Sequence, residues 1–168
     1  VARLDGKGHH LARHGRCEAT LFILRTFGMG QGVDELQAAT ARIGKHNRIF
    51  QFASIGEDPS DKKFHGELTW LEIGDDNVFR EGVTIHRGTE FGGGITRIGS
   101  NNLFMPYTHV AHDCMVGNHT IFSNNAAISG HVVVEDWAIL GGYAGVYQFL
   151  RIGAHSFIGA QTHVNMDV

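Results

Sequence analysis

The sequence predicts an all-β fold, a parallel β-helix wound from six-residue repeats, and three observations carry that expectation. Apolar residues recur at every sixth position over a long unbroken stretch. The residues flanking them are small or β-branched in the same phase. Glycine is abundant, with 23 residues against two prolines, which suits a chain of many tight turns.

Residues 1–42 lack the repeat, since stepping back by six from Ile43 gives Gln37, Gln31, Arg25, Ala19, Arg13, Lys7 and Val1. This irregular N-terminal segment contains an apolar patch (Leu21, Phe22, Ile23, Leu24), and a short helix is expected near 34–39. It is open to three readings: an irregular cap, a disordered arm, or translation of a shifted reading frame, of which the third is favoured. The repeat starts with Ile43, Ile49 and Ile55 and resumes with Ile73, Phe79 and Ile85. It then runs unbroken through Ile98, Phe104, Val110, Val116, Phe122, Ile128, Val134, Leu140, Val146, Ile152, Ile158 and Val164. The second trio is one residue out of phase with this run. Two loops account for the breaks, a polar one over 57–69 that holds Pro59 and one over 86–96 that holds Gly92, Gly93 and Gly94. Residues 43–168 are therefore expected to form one solenoid domain.

Three short strands joined by corners make a coil of about 18 residues in this class. Each repeated apolar side chain points inward and stacks on its counterpart one coil away, about 4.8 Å along the axis. The residue after it is often small (Gly99, Ala111, Gly117, Gly141, Gly153), as expected where the backbone turns sharply. An ordinary antiparallel barrel would instead alternate with period two and turn every 8 to 12 residues or so.

Composition excludes several functions. The formal net charge is −3, from 14 basic and 17 acidic side chains, so there is no overall basic field to hold nucleic acid. Cys17 and Cys114 are far apart and in no metal or redox spacing, which fits a reducing cytoplasm. No stretch approaches the roughly 20 apolar residues of a membrane span. The 12 histidines are unusual and suggest imidazole chemistry.

Six strings carry a resemblance: IGKHNRIFQFASIGE (43–57), REGVTIHRGT (80–89), GGGITRIGSNNLFM (92–105), HVAHDCMVGNHTI (109–121), NNAAISGHVVVEDWAILGGYAGVYQF (124–149) and RIGAHSFIGA (151–160). In this order they resemble the UDP-N-acetylglucosamine O-acyltransferases, hexapeptide-repeat enzymes that begin lipid A synthesis in Gram-negative bacteria. The resemblance implies a left-handed parallel β-helix. It also implies transfer of a 3-hydroxyacyl chain from acyl carrier protein to the 3-hydroxyl of UDP-N-acetylglucosamine. A homotrimer with sites between neighbouring chains is implied as well, with no metal and no cofactor beyond the acyl donor. The family carries a C-terminal helical region with basic groups for the nucleotide and the carrier protein. No counterpart follows Val168, so weak or absent turnover is expected of the chain alone.

Attack of a hydroxyl on a thioester needs a proton acceptor, and imidazole suits neutral pH. His112 matches the family's general base and Asp113 the carboxylate behind it. Gly130 matches the backbone donor to the oxyanion. His86, His109 and His131 match histidines lining the cleft, and Asp61, Lys63 and Gln148 match residues near the nucleotide and the acyl donor. Ser60 and Tyr147 depart from the family's usual glutamine and histidine. Ala160 matches the stop that measures the acyl chain, where a methyl group in place of glycine is expected to shorten the chain accepted. Two alternatives stand beside this reading. One is a zinc enzyme of the carbonic anhydrase type, which needs three converging histidines such as His109 and His112 with a third from a neighbour. The other is a non-catalytic β-helix, a fragment or scaffold keeping the fold alone.

Overall fold

The computed structural model describes residues 40–168. Residues 1–39 of the irregular segment, with the short helix expected near 34–39, lie outside the described residues; Ala41 and Arg42, expected to belong to that segment, are strand residues of the first coil. From there the chain winds through six coils of three strands each. The first coil is β1 (Ala41–Ile43), β2 (Arg48–Ile49) and β3 (Ser54–Glu57), and the second is β4 (Trp70–Ile73), β5 (Val78–Phe79) and β6 (Thr84–His86). The third is β7 (Ile95–Ile98), β8 (Leu103–Phe104) and β9 (His109–Val110), and the fourth is β10 (Met115–Val116), β11 (Ile121–Phe122) and β12 (Ala127–Ile128). The fifth is β13 (Val133–Val134), β14 (Ile139–Leu140) and β15 (Gly145–Val146), and the sixth is β16 (Arg151–Ile152), β17 (Phe157–Ile158) and β18 (His163–Val164). Every third strand pairs in parallel, giving three six-stranded sheets that form the sides of a prism.

The predicted apolar series lines the axis. Ile43, Ile73, Ile98, Val116, Val134 and Ile152 stack in register along the first sheet. In the second sheet Phe79, Phe104 and Phe122 are fully buried and stack face to face, with ring centroids 5.1 and 4.8 Å apart. Such offset pairs add about 0.5–1.5 kcal/mol beyond the area they bury. The one-residue phase slip vanishes in space, because Ile73 pairs with Ile98 and the loop between β6 and β7 absorbs the difference. That loop includes a 3-10 turn, Glu90–Gly92.

The corners differ from the expectation. The tight left-handed turn falls three residues after most of the repeated apolar residues, on fourteen non-glycine side chains with φ between 57° and 65°. They include Asn101, Tyr107, Asp113, His119 and Trp137. This backbone costs an L-residue about 1–2 kcal/mol, and the inter-coil hydrogen bonds on both sides of each corner hold it in place. The small residue just after the apolar one serves another need, close approach of the next coil. A Cβ on Gly99 would lie 2.4 Å from the Gly117 carbonyl oxygen.

A buried amide ladder was not foreseen. The Asn77 and Asn102 backbone N–H groups donate to the side-chain oxygens of Asn47 and Asn77, and Thr120 N–H donates to Asn102 Oδ1. It ties the first four coils together at one corner.

Candidate active site

The corner between the third and first sheets gathers the chemistry. In successive coils it carries His112, Gly130 and Gln148, each followed by a left-handed residue: Asp113, His131 and Phe149. His112 Nδ1–H donates to Asp113 Oδ2 at 2.8 Å. The Asp113 side chain is fully buried, while 17% of the His112 side chain is exposed. A buried carboxylate needs donors. Besides His112, Thr89 N–H donates to Oδ1 at 2.8 Å and Thr89 Oγ1–H to Oδ2 at 2.6 Å. With Nδ1 carrying the hydrogen, the neutral His112 ring keeps a lone pair on Nε2, the atom that can accept a proton.

His131 stands edge-on to His112, with ring centroids 5.2 Å apart, and lies flat on Phe149 at 4.4 Å. Its Nε2 is 3.8 Å from Asp113 Oδ2. Gly130 is pressed against His112, so that a Cβ there would come within 2.6 Å of the ring. Next to this group, His86 and His109 meet edge to face at 4.9 Å, and His109 Nδ1 is bonded to Thr84 Oγ1 at 2.7 Å. Burial pushes the His109 imidazole down to about 4, helped by the neighbouring His86 and His112. His86 is lowered too, chiefly by burial and then by His112, against the opposing pull of Glu57 and Asp58.

Residues 95–130 match the bacterial transferase hexapeptide family (six repeats). The acyl-[acyl-carrier-protein]–UDP-N-acetylglucosamine O-acyltransferase of Stutzerimonas stutzeri is 58% identical over 127 residues, 76% of this chain and 49% of the relative. The crystal structure of UDP-N-acetylglucosamine O-acyltransferase from Moraxella catarrhalis superposes with a TM-score of 0.75 at 50% identity, covering 76% of this chain and 50% of that one. The enzyme of Francisella novicida gives 0.75 at 46% identity over 76% of this chain and 46% of its own. This chain belongs to the hexapeptide-repeat acyltransferases. Its coil is the left-handed parallel β-helix of that family. The chain spans about half the length of the curated relatives it matches.

Not every residue expected at a hexapeptide acyltransferase site joins the His112 group. Asp61 accepts the Lys63 N–H at 3.0 Å within their own loop, and neither forms an ion pair or hydrogen bond with the histidines among the described residues. Gln148 is exposed one coil beyond Gly130. Ala160 is exposed on the corner between the second and third sheets, one corner away from His112. Thr89, Gly92, Thr84 and Phe149 were not singled out beforehand. Thr89 and Gly92 lay within the quoted IHRGT and triple-glycine strings, but nothing in the linear spacing points them at Asp113.

His112, Asp113 and His131 place one ligand atom each within 4.8 Å of one another, a grouping that could hold a metal ion. The donor set argues against one. Both Asp113 oxygens already accept hydrogen bonds, and an ion at Oδ2 would have to displace the Thr89 hydroxyl and the His112 N–H. In the zinc alternative His109 would have only Nε2 to offer, since its Nδ1 is engaged with Thr84.

Proposed function

We propose that residues 43–168 are the catalytic core of an enzyme that transfers a 3-hydroxyacyl chain from acyl carrier protein to the 3-hydroxyl of UDP-N-acetylglucosamine, the first acylation of lipid A synthesis. The observation that carries this reading is the His112–Asp113 pair, with its carboxylate buried and its imidazole Nε2 free to accept a proton. In the reaction the sugar hydroxyl gives its proton to His112 Nε2 as its oxygen bonds to the thioester carbon. Asp113 fixes the tautomer beforehand and stabilises the imidazolium as it forms. The Gly130 N–H is the donor for the oxyanion of the tetrahedral intermediate. Collapse breaks the carbon–sulfur bond, and the carrier thiolate takes the proton back from His112. The thioester supplies the driving force, so the step calls for no cofactor.

His86, His109 and His131 form the wall against which the substrates lie, with His109 neutral near pH 7 and therefore a hydrogen-bonding group rather than a charge. Asp61, Lys63 and Gln148 take the nucleotide and donor contacts, and Ala160 ends the acyl channel. Because Ala160 and His112 occupy different corners, the channel needs a second copy of the chain, which supports the homotrimer with sites between neighbours. Unchanged chain-length preference in Ala160→Gly removes the measuring role. A buried free thiol, Cys114, pushed up to about 12 by burial, accords with a cytoplasmic protein. Among the described residues no helix is long and apolar enough to cross a membrane.

The test is direct. The chain is incubated with 3-hydroxyacyl carrier protein and UDP-N-acetylglucosamine, and the acylated sugar nucleotide is followed by mass. Turnover that His112→Ala lowers by about 10²-fold or more is expected. Turnover indifferent to His112→Ala sinks the assignment.

A further inference from the structure

The loop between β6 and β7 lengthens its coil so that β4 and β7 pair residues 25 apart, against 18 in later coils. Its backbone is closed on itself and on its neighbour. Gly94 N–H donates to Thr89 O at 2.8 Å, Gly88 N–H to Trp70 O at 3.1 Å, and Trp70 N–H to Gly94 O at 2.8 Å. What the loop delivers is Thr89, buried and bonded twice to Asp113. The hydroxyl has a defined direction. Thr89 Oγ1 accepts the Gly92 N–H at 3.1 Å, so its one hydrogen is left for Asp113 Oδ2. Gly92 closes over the carboxylate, where a Cβ would sit 2.0 Å from Asp113 Cγ. From below, Asp113 N–H donates to Thr96 Oγ1 at 2.8 Å.

We propose that Thr89, covered by Gly92, is a positioning residue that locks the Asp113 carboxylate and through it holds His112 in the Nδ1–H tautomer. The inference rests on the acyl-transfer reading for its kinetic consequence but not for its structural one. A free carboxylate can rotate about its Cβ–Cγ bond and present either oxygen. Thr89 occupies Oδ1 with its amide and one side of Oδ2 with its hydroxyl, so the remaining direction on Oδ2 is taken by His112 at 2.8 Å, with His131 Nε2 farther off at 3.8 Å. Without the hydroxyl, the carboxylate keeps only the Thr89 amide on Oδ1, Oδ2 is free to swing away from the ring, and the ring reverts toward the commoner Nε2–H form. That form has no lone pair where the proton must go.

The experiment uses the full chain, labelled with ¹⁵N at histidine, in the wild type, Thr89→Val and Thr89→Ser. Long-range ¹H–¹⁵N spectra at alkaline pH report each ring's tautomer, and loss of signals in His112→Asn assigns the ring. The wild type and Thr89→Ser are expected to show Nδ1–H at His112, and Thr89→Val a majority of Nε2–H. In the acyl-transfer assay Thr89→Val is expected to lower kcat by roughly 10- to 100-fold, as when a partner that orients a functional imidazole is removed. KM for the sugar nucleotide should stay within about twofold, and Thr89→Ser should restore kcat. Retention of the Nδ1–H form in Thr89→Val, or an Nε2–H ring in the wild type, overturns the proposal. If the wild type gives no turnover, the kinetic consequence falls away and the tautomer alone decides the positioning role. If Thr89→Val does not fold, Gly92→Ala takes its place, since its methyl group displaces the same carboxylate. An unaltered His112 tautomer there overturns the proposal equally.

Discussion

Gly130 has two duties that one substitution separates. Its amide is the proposed oxyanion donor, and its bare Cα makes room for the His112 ring, with a Cβ falling 2.6 Å from Cε1 and 2.8 Å from Nε2. Gly130→Ala keeps the amide but puts a methyl group against the nitrogen that takes the proton. Displacing a reacting group by about 1 Å can cost on the order of 10²-fold, so a kcat loss of that size with an unchanged melting temperature is expected. Wild-type kcat would show the site to be looser than it is drawn. His109 gives a pH prediction whose sign is fixed by burial. Its imidazole titrates near 4 in the folded chain and near 6.5 when unfolded. Between those values the unfolded chain binds the extra proton, so the stability tied to His109 is present above about 6.5 and is lost as pH falls toward 4. His86, lowered in the same direction, adds to the loss. Denaturant midpoints measured across this range should depend less on pH in His109→Gln; an equal slope refutes the assignment. The adjacent pair His112 and Asp113 was legible in the sequence because both lie in one string. The Thr89 bond was not, since it crosses 24 residues and a loop of irregular length.

Arg87 shows what the two loops contribute as elements. Its side chain is 7% exposed and pairs with Asp58 of the 57–69 loop, which is half exposed. Nε–H donates to Thr69 Oγ1 at 3.2 Å, and the guanidinium lies 5.2 Å from the Phe64 ring centroid. One residue at the end of β6 therefore pins both ends of the loop that carries Asp61 and Lys63. Arg87→Ala leaves Asp58 able to turn to water, so the cost is local, about 1–2 kcal/mol. That corresponds to roughly 5- to 30-fold more of the opened loop. Trypsin cleavage after Lys62 and Lys63 should rise by that factor when reclosing is fast, while the melting temperature falls by only a few degrees. Cleavage at the wild-type rate shows the loop held by something else. Both loops were legible as places where the phase of six is lost and where Pro59 or three glycines gather. Their anchoring was not, because an arginine at a strand end reads as solvent-facing until the fold brings Asp58 and Thr69 around it. The corners misled for a related reason. The small residue that often follows the apolar one suggests a tight turn, whereas the left-handed turn sits on Asp, Asn, His and aromatic residues that sequence alone takes for ordinary surface.

The described residues as a whole are one-dimensional: each coil packs on its neighbours, so stability is close to a sum over coils and the interfaces between them. That simplicity made the coil legible from a single periodic series, and it gives phase more authority than residue type. Phe104 and Phe157 are the same residue and both lie in strands of the second sheet, yet Phe104 falls on the inward phase and Phe157 on the outward one. Accordingly Phe104 is fully buried between Phe79 and Phe122, and Phe157 is 70% exposed. Phe104→Ala should cost about 3–5 kcal/mol through lost contacts and an unfilled cavity, whereas Phe157→Ala should stay within about 0.5 kcal/mol. The larger loss also has a direction along the axis. Removing the middle ring weakens the interfaces of the third coil with the coils on either side, so β1 to β6 are less firmly tied to β10 to β18. Amide exchange in Phe104→Ala should then accelerate more in the first two coils than in the last two, because the first two lie beyond the break and hold fewer coils of their own. Equal losses for the two phenylalanines, or uniform acceleration along the chain, would contradict an assembly of nearest-neighbour coils and point to one cooperative unit.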